Sequence, residues 1–500
     1  MIQGMDNAEF EVIPERRYVK SVRRYAPESL IPHIASVSAQ FGIPEIGRGW
    51  MHRPDEGITY YPWALADIAS VSLTARDAPR RHHATPRQLR ELVSLYNASV
   101  GAHSHATGSA TAREILLLTS NLQFPYQDEA YPQFARTKAI FDAGFPRDYT
   151  PECIRPGWDR ELFGTDLAAY SRTALLLYVA ASQFSGRFIP DRLYSGPEAE
   201  QFEQAAPREE LLTLVDGHFA ADRDQLRRDH ATVLARSKSS PNWTPDHRRY
   251  AYNPLTSHPL VRGMGPGYLC PVPALLPRKA GPAGIYFAGL ARWRTAFTRD
   301  LGHLFQQYVG SQLALLPAAD VLPEIDYRIR GRQRGKSADW IVVHDDAVLI
   351  VEVKSAMPTQ DYRLGWAEGV STAQGKISDA FKQIDLTAGF IRERREEFTA
   401  IPSDRPIIGL VVTLEPFHLA QGYPVRQELP VTSTPTLICS ADELELLVIA
   451  ENPSMSDIVL KAVRDPTVEG WALKTITGQR SPLRNQILEA SWNTFAHAFR

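Results

Sequence analysis

Cysteine is scarce: Cys153, Cys270 and Cys439 are odd in number and far apart. That excludes a disulfide framework and any Cys-x-x-Cys metal site, and the three read as small buried hydrophobes. Long apolar runs are missing too. The longest, Ala174 to Ala181, has eight residues, against roughly 18 to 20 for a helix that spans a bilayer. The opening MIQGMDNAEFEVIPERRYVK carries acids where a secretory signal would be basic and then apolar, so the expectation is a cytoplasmic protein with no membrane contact. Neither charge is in real excess. With 55 Lys+Arg against 57 Asp+Glu and a net charge of -2, no global field draws the chain to nucleic acid, and any such binding has to come from a local patch. What is present, 44% hydrophobic and 22% charged residues, is the composition of a folded globular protein, and the length suits roughly two to four domains.

Two basic patches stand out. Arg76, Arg80, Arg81, His82, His83, Arg87 and Arg90 lie in and before a helix opened by Thr85 and Pro86; the favoured reading is a solvated helix start. Arg328, Arg330, Arg332, Arg334 and Lys336 place a base at every second position. On extended chain that spacing puts all five on one face, which could track a phosphate backbone, with an exposed edge hairpin as the rival reading.

The fold expected is α+β. Residues 1–236 show helical periodicity, as in Leu89-Leu92-Val93-Tyr96, and form a mostly helical N-terminal region of one or more subdomains. Residues 237–289, dense in proline and glycine, form a connector whose aromatic and aliphatic residues pack it on its neighbours. Residues 290–450 alternate helix and strand: an amphipathic helix over 293–316, strands at 327–332, 339–344 and 347–355, a helix over 372–398, strands at 407–414 and 435–439, and a helix capped by Ser440. That order describes a mixed central sheet flanked by helices. Residues 451–500 are a C-terminal extension. Gly263 to Gly267 reads as a turn and not a phosphate loop, because no Lys-Ser/Thr follows and Pro266 removes an amide donor. His82-His83 and His103 with His105 lack a partner acid and read as surface or loop histidines.

Chemistry concentrates between Ser337 and Ser355. If Asp345-Asp346 is the tip of a two-residue hairpin, His344 faces Ala347 and Asp339 faces Glu352. Directly opposed residues have Cβ atoms about 4.5 to 5.5 Å apart, and residues two apart on a strand share a face, so Lys354 joins the two acids. Like charges placed opposite each other destabilise a sheet unless compensated, and a divalent cation is the simplest compensation. Oxygen-only ligation by Asp339 and Glu352 suits Mg²⁺ or Mn²⁺ better than zinc. Such an ion with Lys354 is suited to phosphodiester hydrolysis. The bland alternative is an ordinary exposed strand with Glu352 and Lys354 in solvent; the apolar run Val348 to Val351 weighs against it.

These residues resemble the PD-(D/E)xK, or restriction-endonuclease-like, nuclease superfamily over about Trp293 to Ile449. The resemblance implies a metal-dependent nuclease domain with Asp339 on the second strand and Glu352 and Lys354 on the third. Ala338 stands where the superfamily has proline. Gly302-His-Leu-Phe305-Gln306-Gln-Tyr308 is similar to its G-x-x-F-E-x-Y helix, with Gln306 in place of the Glu, so one carboxylate is missing; Asp300 is the helix's only acid, and His303 lies one turn before Gln306. Gln383 matches the polar residue that many members aim at the site. The superfamily implies nucleic acid, DNA ahead of RNA, as substrate, and nucleases with large helical appendages resemble effectors of anti-phage defence systems. A protein partner for the N-terminal region and partner-activated cleavage go with that reading. The alternative is a catalytically degenerate nuclease fold kept as a nucleic-acid-binding or scaffolding subunit.

Overall fold

The computed structural model describes residues 14–41, 50–75, 82–99, 112–126, 129–196, 199–241, 243–329, 334–358, 360–363, 367–417, 426, 429–478 and 485–496. Arg76, Arg80, Arg81, His103, His105, Arg330 and Arg332 lie outside them. Two units emerge, residues 1–128 with 172–279, and residues 129–171 with 280–500. This corrects the expected boundaries. The helical region does not end at 236, residues 237–279 belong to the first unit and are no connector, and the sheet-containing unit takes in 129–171 and runs past 450.

In the first unit, the helix Pro62–Thr74 is buried at every position from Pro62 to Leu73, because its sequence PWALADIASVSLT carries a single charge. Helices Glu15–Val22, Pro27–Ser38, Pro86–Ser99 and Arg223–Lys238 pack around it. The single charge, Asp67, needs a partner in that setting. Arg248 supplies one, with Nη1 and Nη2 donating to its carboxylate at 2.9 and 2.8 Å, and Tyr18 Oη adds a bond at 2.7 Å. Arg248 Nε also donates to Glu15 at 2.7 Å, and Arg249 pairs with the same carboxylate. The proline-rich stretch therefore packs into this unit's own core. Its short strands Leu260–Val261 and Tyr268–Leu269 join Arg187–Phe188 and Ala220–Ala221 in a four-stranded sheet. Between them Gly263, Gly265 and Gly267 take positive φ, the expected turn.

The second unit contains α1 (Ala130–Asp142), α2 (Pro282–Trp293), α3 (Thr295–Leu313), β1 (Asp320–Pro323), β2 (Asp326–Arg328), β3 (Arg334–Lys336), β4 (Trp340–Val343), β5 (Val348–Lys354), α4 (Ala367–Arg392), β6 (Ile407–Thr413), β7 (Thr436–Ser440), α5 (Ala441–Leu447) and α6 (Gln486–Ala496). Five strands form one sheet in the order β7-β6-β5-β4-β1. Strands β5, β6 and β7 run parallel, while β4 is antiparallel to both β5 and β1. The expected mixed sheet flanked by helices is thus present. Strand β1 was not expected, and the strand expected over 327–332 is instead one arm of the separate β2–β3 hairpin. Strands β5 and β6 are buried almost throughout, as their Val- and Ile-rich sequences require between two helical layers.

Two glycines identify those layers. A Cβ on Gly310 of α3 would meet the Trp340 ring, and one on Gly409 of β6 would meet Ile384 of α4. Trp340 pairs with Val351, while Gly409 pairs with Ile350. Neighbouring positions on β5 point to opposite faces, so α3 covers the Val351 face and α4 covers the Ile350 face. Among the described residues no helix is long and apolar enough to cross a membrane.

Candidate active site

The β4–β5 register pairs Trp340 with Val351 and Val343 with Val348, and the His344 amide donates to the Ala347 carbonyl at 2.8 Å. Asp345-Asp346 is therefore the tip, as the sequence suggested, and one step beyond the ladder Asp339 stands opposite Glu352. Asp339 Oδ2 accepts the Val353 amide at 2.7 Å, which ties the carboxylate to the end of β5. Lys354 Nζ donates to Glu352 Oε1 at 2.6 Å. Glu352 is buried, and Asp339 and Lys354 are half-buried. Glu352 and Lys354 alternate with Val351 and Val353, so they share the Ile350 face beneath α4. The Ala338 amide adjoins that helix, donating to Thr387 Oγ1 at 3.0 Å.

Burial makes both carboxylates harder to ionise. Asp339 is pushed up to about 7, first by desolvation and then by the charge of Glu352. Glu352 is also raised by desolvation, against the pull of the Lys354 ammonium. Lys354 thus compensates one of the two acids, and Asp339 is left without a cation bonded to it among the described residues.

A third acid, Glu324, escaped the sequence reading. Strand β1 pairs Pro323 with Trp340, and one further step brings Glu324 beside Asp339 on the side away from Glu352. Its charge raises both Asp339 and Glu352. Glu324 Oε2 accepts from Lys336 Nζ at 2.6 Å. The available clue was an acid two residues after the short apolar pair Val321-Leu322, which the prolines at 317 and 323 obscured.

The remaining candidates fall elsewhere. Gln306 lies on α3, on the face shared with Gly302 and Gly310, whose added Cβ atoms would meet Ser355 and Trp340. Its carbonyl accepts Trp340 Nε1 at 3.1 Å. That helix covers the face opposite Glu352, and among the described residues the Gln306 side chain bonds to none of the three. Gln383, on α4, donates to the Lys336 carbonyl and so braces the β2–β3 hairpin beside the site. Asp300 is fully buried and accepts Tyr149 Oη and the amides of Glu152, Cys153 and Ile154 at 2.6 to 3.0 Å, so it holds a loop and supplies no ligand. His303 lies against the Tyr149 ring, with centroids 3.7 Å apart. The basic stripe is corrected: Arg328 and Arg334 are cross-strand partners and Lys336 pairs with Asp326, so these bases occupy two arms of a hairpin.

The carboxylates of Asp339 and Glu352 thus bring hard oxygen donors together at one end of the central strands. Oxygen donors of this kind suit a hard cation whose remaining positions are filled by water. Among the described residues no group of three or more His, Cys, Asp or Glu is arranged to hold a metal ion. Compared with protein-family models, curated proteins and solved structures, the chain matches none of them.

Proposed function

We propose that this chain is a metal-dependent nuclease with a restriction-endonuclease-like second unit, acting on DNA ahead of RNA in the cytoplasm. The observation that carries the reading is the meeting of Asp339, Glu352 and Lys354 where β4 begins and β5 ends, two acids and a cation at buried strands where casual charge is costly. In this reading Asp339 and Glu352 hold Mg²⁺ or Mn²⁺. When bound, the ion supplies positive charge to the phosphate and favours deprotonation of the attacking water. Lys354, freed from part of its bond to Glu352, donates to the phosphate oxygens as negative charge builds on them. Water gives up a proton to solvent as it forms the new P–O bond, and the leaving oxygen takes the electrons of the one that breaks and picks up a proton from solvent. Asp339, held by the Val353 amide, positions its remaining oxygen without reorganisation. An effector role in anti-phage defence, with a partner that activates cleavage through the N-terminal region, is the cellular setting this reading suggests.

The test is cleavage of supercoiled, linear and single-stranded DNA and of RNA in Mg²⁺ or Mn²⁺, by the full chain and by Lys354→Ala. The variant should lose at least about 100-fold in rate. Equal rates in both proteins overturn the assignment. A second reading, a degenerate fold kept for binding, is favoured by Gln306 on the opposite face and by the structural use of Asp300. It expects no cleavage by either protein under any metal, and no phenotype from alanine at Asp339, Glu352 or Lys354.

A further inference from the structure

The first unit carries a groove of about 700 Å³ lined by Lys20, Arg23, Arg24, Tyr25, His82, His83, Thr85 and Gln88. We propose that it binds the phosphodiester backbone of a single nucleic-acid strand. Among the described residues the lining contains three fixed positive charges and two imidazoles and no acid, in a chain whose net charge is -2. The sequence around His82 alone read as a solvated helix start; the fold adds the cations of a second helix. Lys20 lies in the last turn of Glu15–Val22, and Arg23 and Arg24 follow it. The His82 amide donates to the Arg24 carbonyl at 2.8 Å, and the Ala26 amide donates to the His82 carbonyl at 2.9 Å. Ser29 Oγ accepts the Ala84 amide at 2.9 Å. These bonds fix 82–84 alongside 24–29, so the two imidazoles are held beside the two arginines.

Charge complement to a helix C-terminus accounts for Lys20 alone, since Arg23 and Arg24 lie beyond the helix. All five basic side chains are exposed, and neither Lys20 nor Arg24 has an ion-pair partner among the described residues. Thr85 and Pro86 open the helix Pro86–Ser99 at the groove's edge, adding the positive end of a helix to the same field. Tyr25, half-buried in the lining, offers a ring on which a base can stack. An open groove with dispersed cations suits successive phosphates on a strand better than one compact anion.

The test is fluorescence anisotropy of a labelled single-stranded oligonucleotide with the full chain in EDTA, repeated between 50 and 300 mM salt. Working in EDTA, without cleavage, keeps its failure separate from failure of the hydrolytic reading. Lys20→Glu with Arg24→Glu should weaken binding at least tenfold and lower the slope of log K on log salt by about 1.4, from roughly 0.7 per phosphate contact. Lys20→Arg with Arg24→Lys should bind like the unmodified protein, which separates lost charge from misfolding. Unchanged affinity and slope in the glutamate variant overturn the proposal. So does competition by free ATP as effective as that of the oligonucleotide at equal phosphate concentration, which would mark a mononucleotide site.

Discussion

Asp339 and Asp300 are both held by backbone amides, yet their surroundings push them in opposite directions. Asp339 is raised to about 7 by burial and by Glu352. A carboxyl raised on folding favours the native state most below its unfolded pKa, and that advantage is lost as pH rises through the folded value. In EDTA, then, stability should fall between about pH 4 and 7 on account of this group, and a cation that replaces the proton should reverse the loss. The expected outcome is a Mg²⁺-induced rise in Tm that is small at pH 5.5 and larger at pH 8, measured by thermal unfolding with and without EDTA. Asp339→Asn should abolish that rise and raise Tm in EDTA at pH 8, because it removes an uncompensated charge. Asp300 is different: burial raises it, but Tyr149 and three amides outweigh this and hold it below the usual carboxylate range. Its contribution is present above the unfolded pKa and lost as pH falls through the lower folded value. Asp300→Ala leaves three amides without their acceptor and should cost about 3 kcal/mol or more by urea unfolding.

At the scale of elements, the hairpin was the most legible part of the chain. Alternation around Asp345-Asp346 defines one register that buries Val348 to Val351, and a slip by one residue would turn Glu352 and Lys354 to the other face. The observed pairing of Trp340 with Val351 is that register. Strand β1 was not legible, because four residues with a terminal proline and a half-exposed pattern carry little periodicity, and with it Glu324 was lost. The side of the sheet on which Gln306 lies was also hidden, since periodicity places a residue on a helix face but does not say which sheet face that helix covers. Gly310 now answers this: the helix approaches closely enough that a Cβ there would overlap the Trp340 ring, whose Nε1 is already bonded to the Gln306 carbonyl. Gly310→Ala should therefore displace Trp340, the residue next to Asp339. A cost of about 1 to 3 kcal/mol is expected from overpacking, together with a shift in Trp fluorescence. A variant with unchanged stability and emission would show that the contact is not tight.

On the scale of the whole molecule, the second unit is discontinuous in sequence, which no local pattern could reveal. Its early part, α1, is held by residues about 300 positions later. Arg136 pairs through Nε and Nη2 with the fully buried Glu445 of α5, at 2.5 and 2.7 Å, and Tyr308 Oη donates to the same carboxylate at 2.5 Å. Gln312 donates to Tyr308 Oη, and Asn485 donates to Gln312, closing a network around one buried charge. Beside it, Phe134 stacks on Phe495 and Tyr131 meets Trp492 edge-on. Residues 280–500 on their own would leave Glu445 buried without its arginine, and breaking such a pair costs about 3 to 5 kcal/mol, much of a domain's total stability of roughly 5 to 15 kcal/mol. A chain limited to 280–500 should therefore lack a cooperative unfolding transition, while the same residues joined to 129–171 through a flexible linker should show one by circular dichroism. In the intact protein Arg136→Met should be severely destabilising, and Arg136→Met with Glu445→Leu much less so, because the double change removes the orphaned charge along with its partner. If the single and double variants unfold at the same urea concentration, the pair is not what holds α1 in the second unit, and the aromatic contacts with α6 carry that role instead.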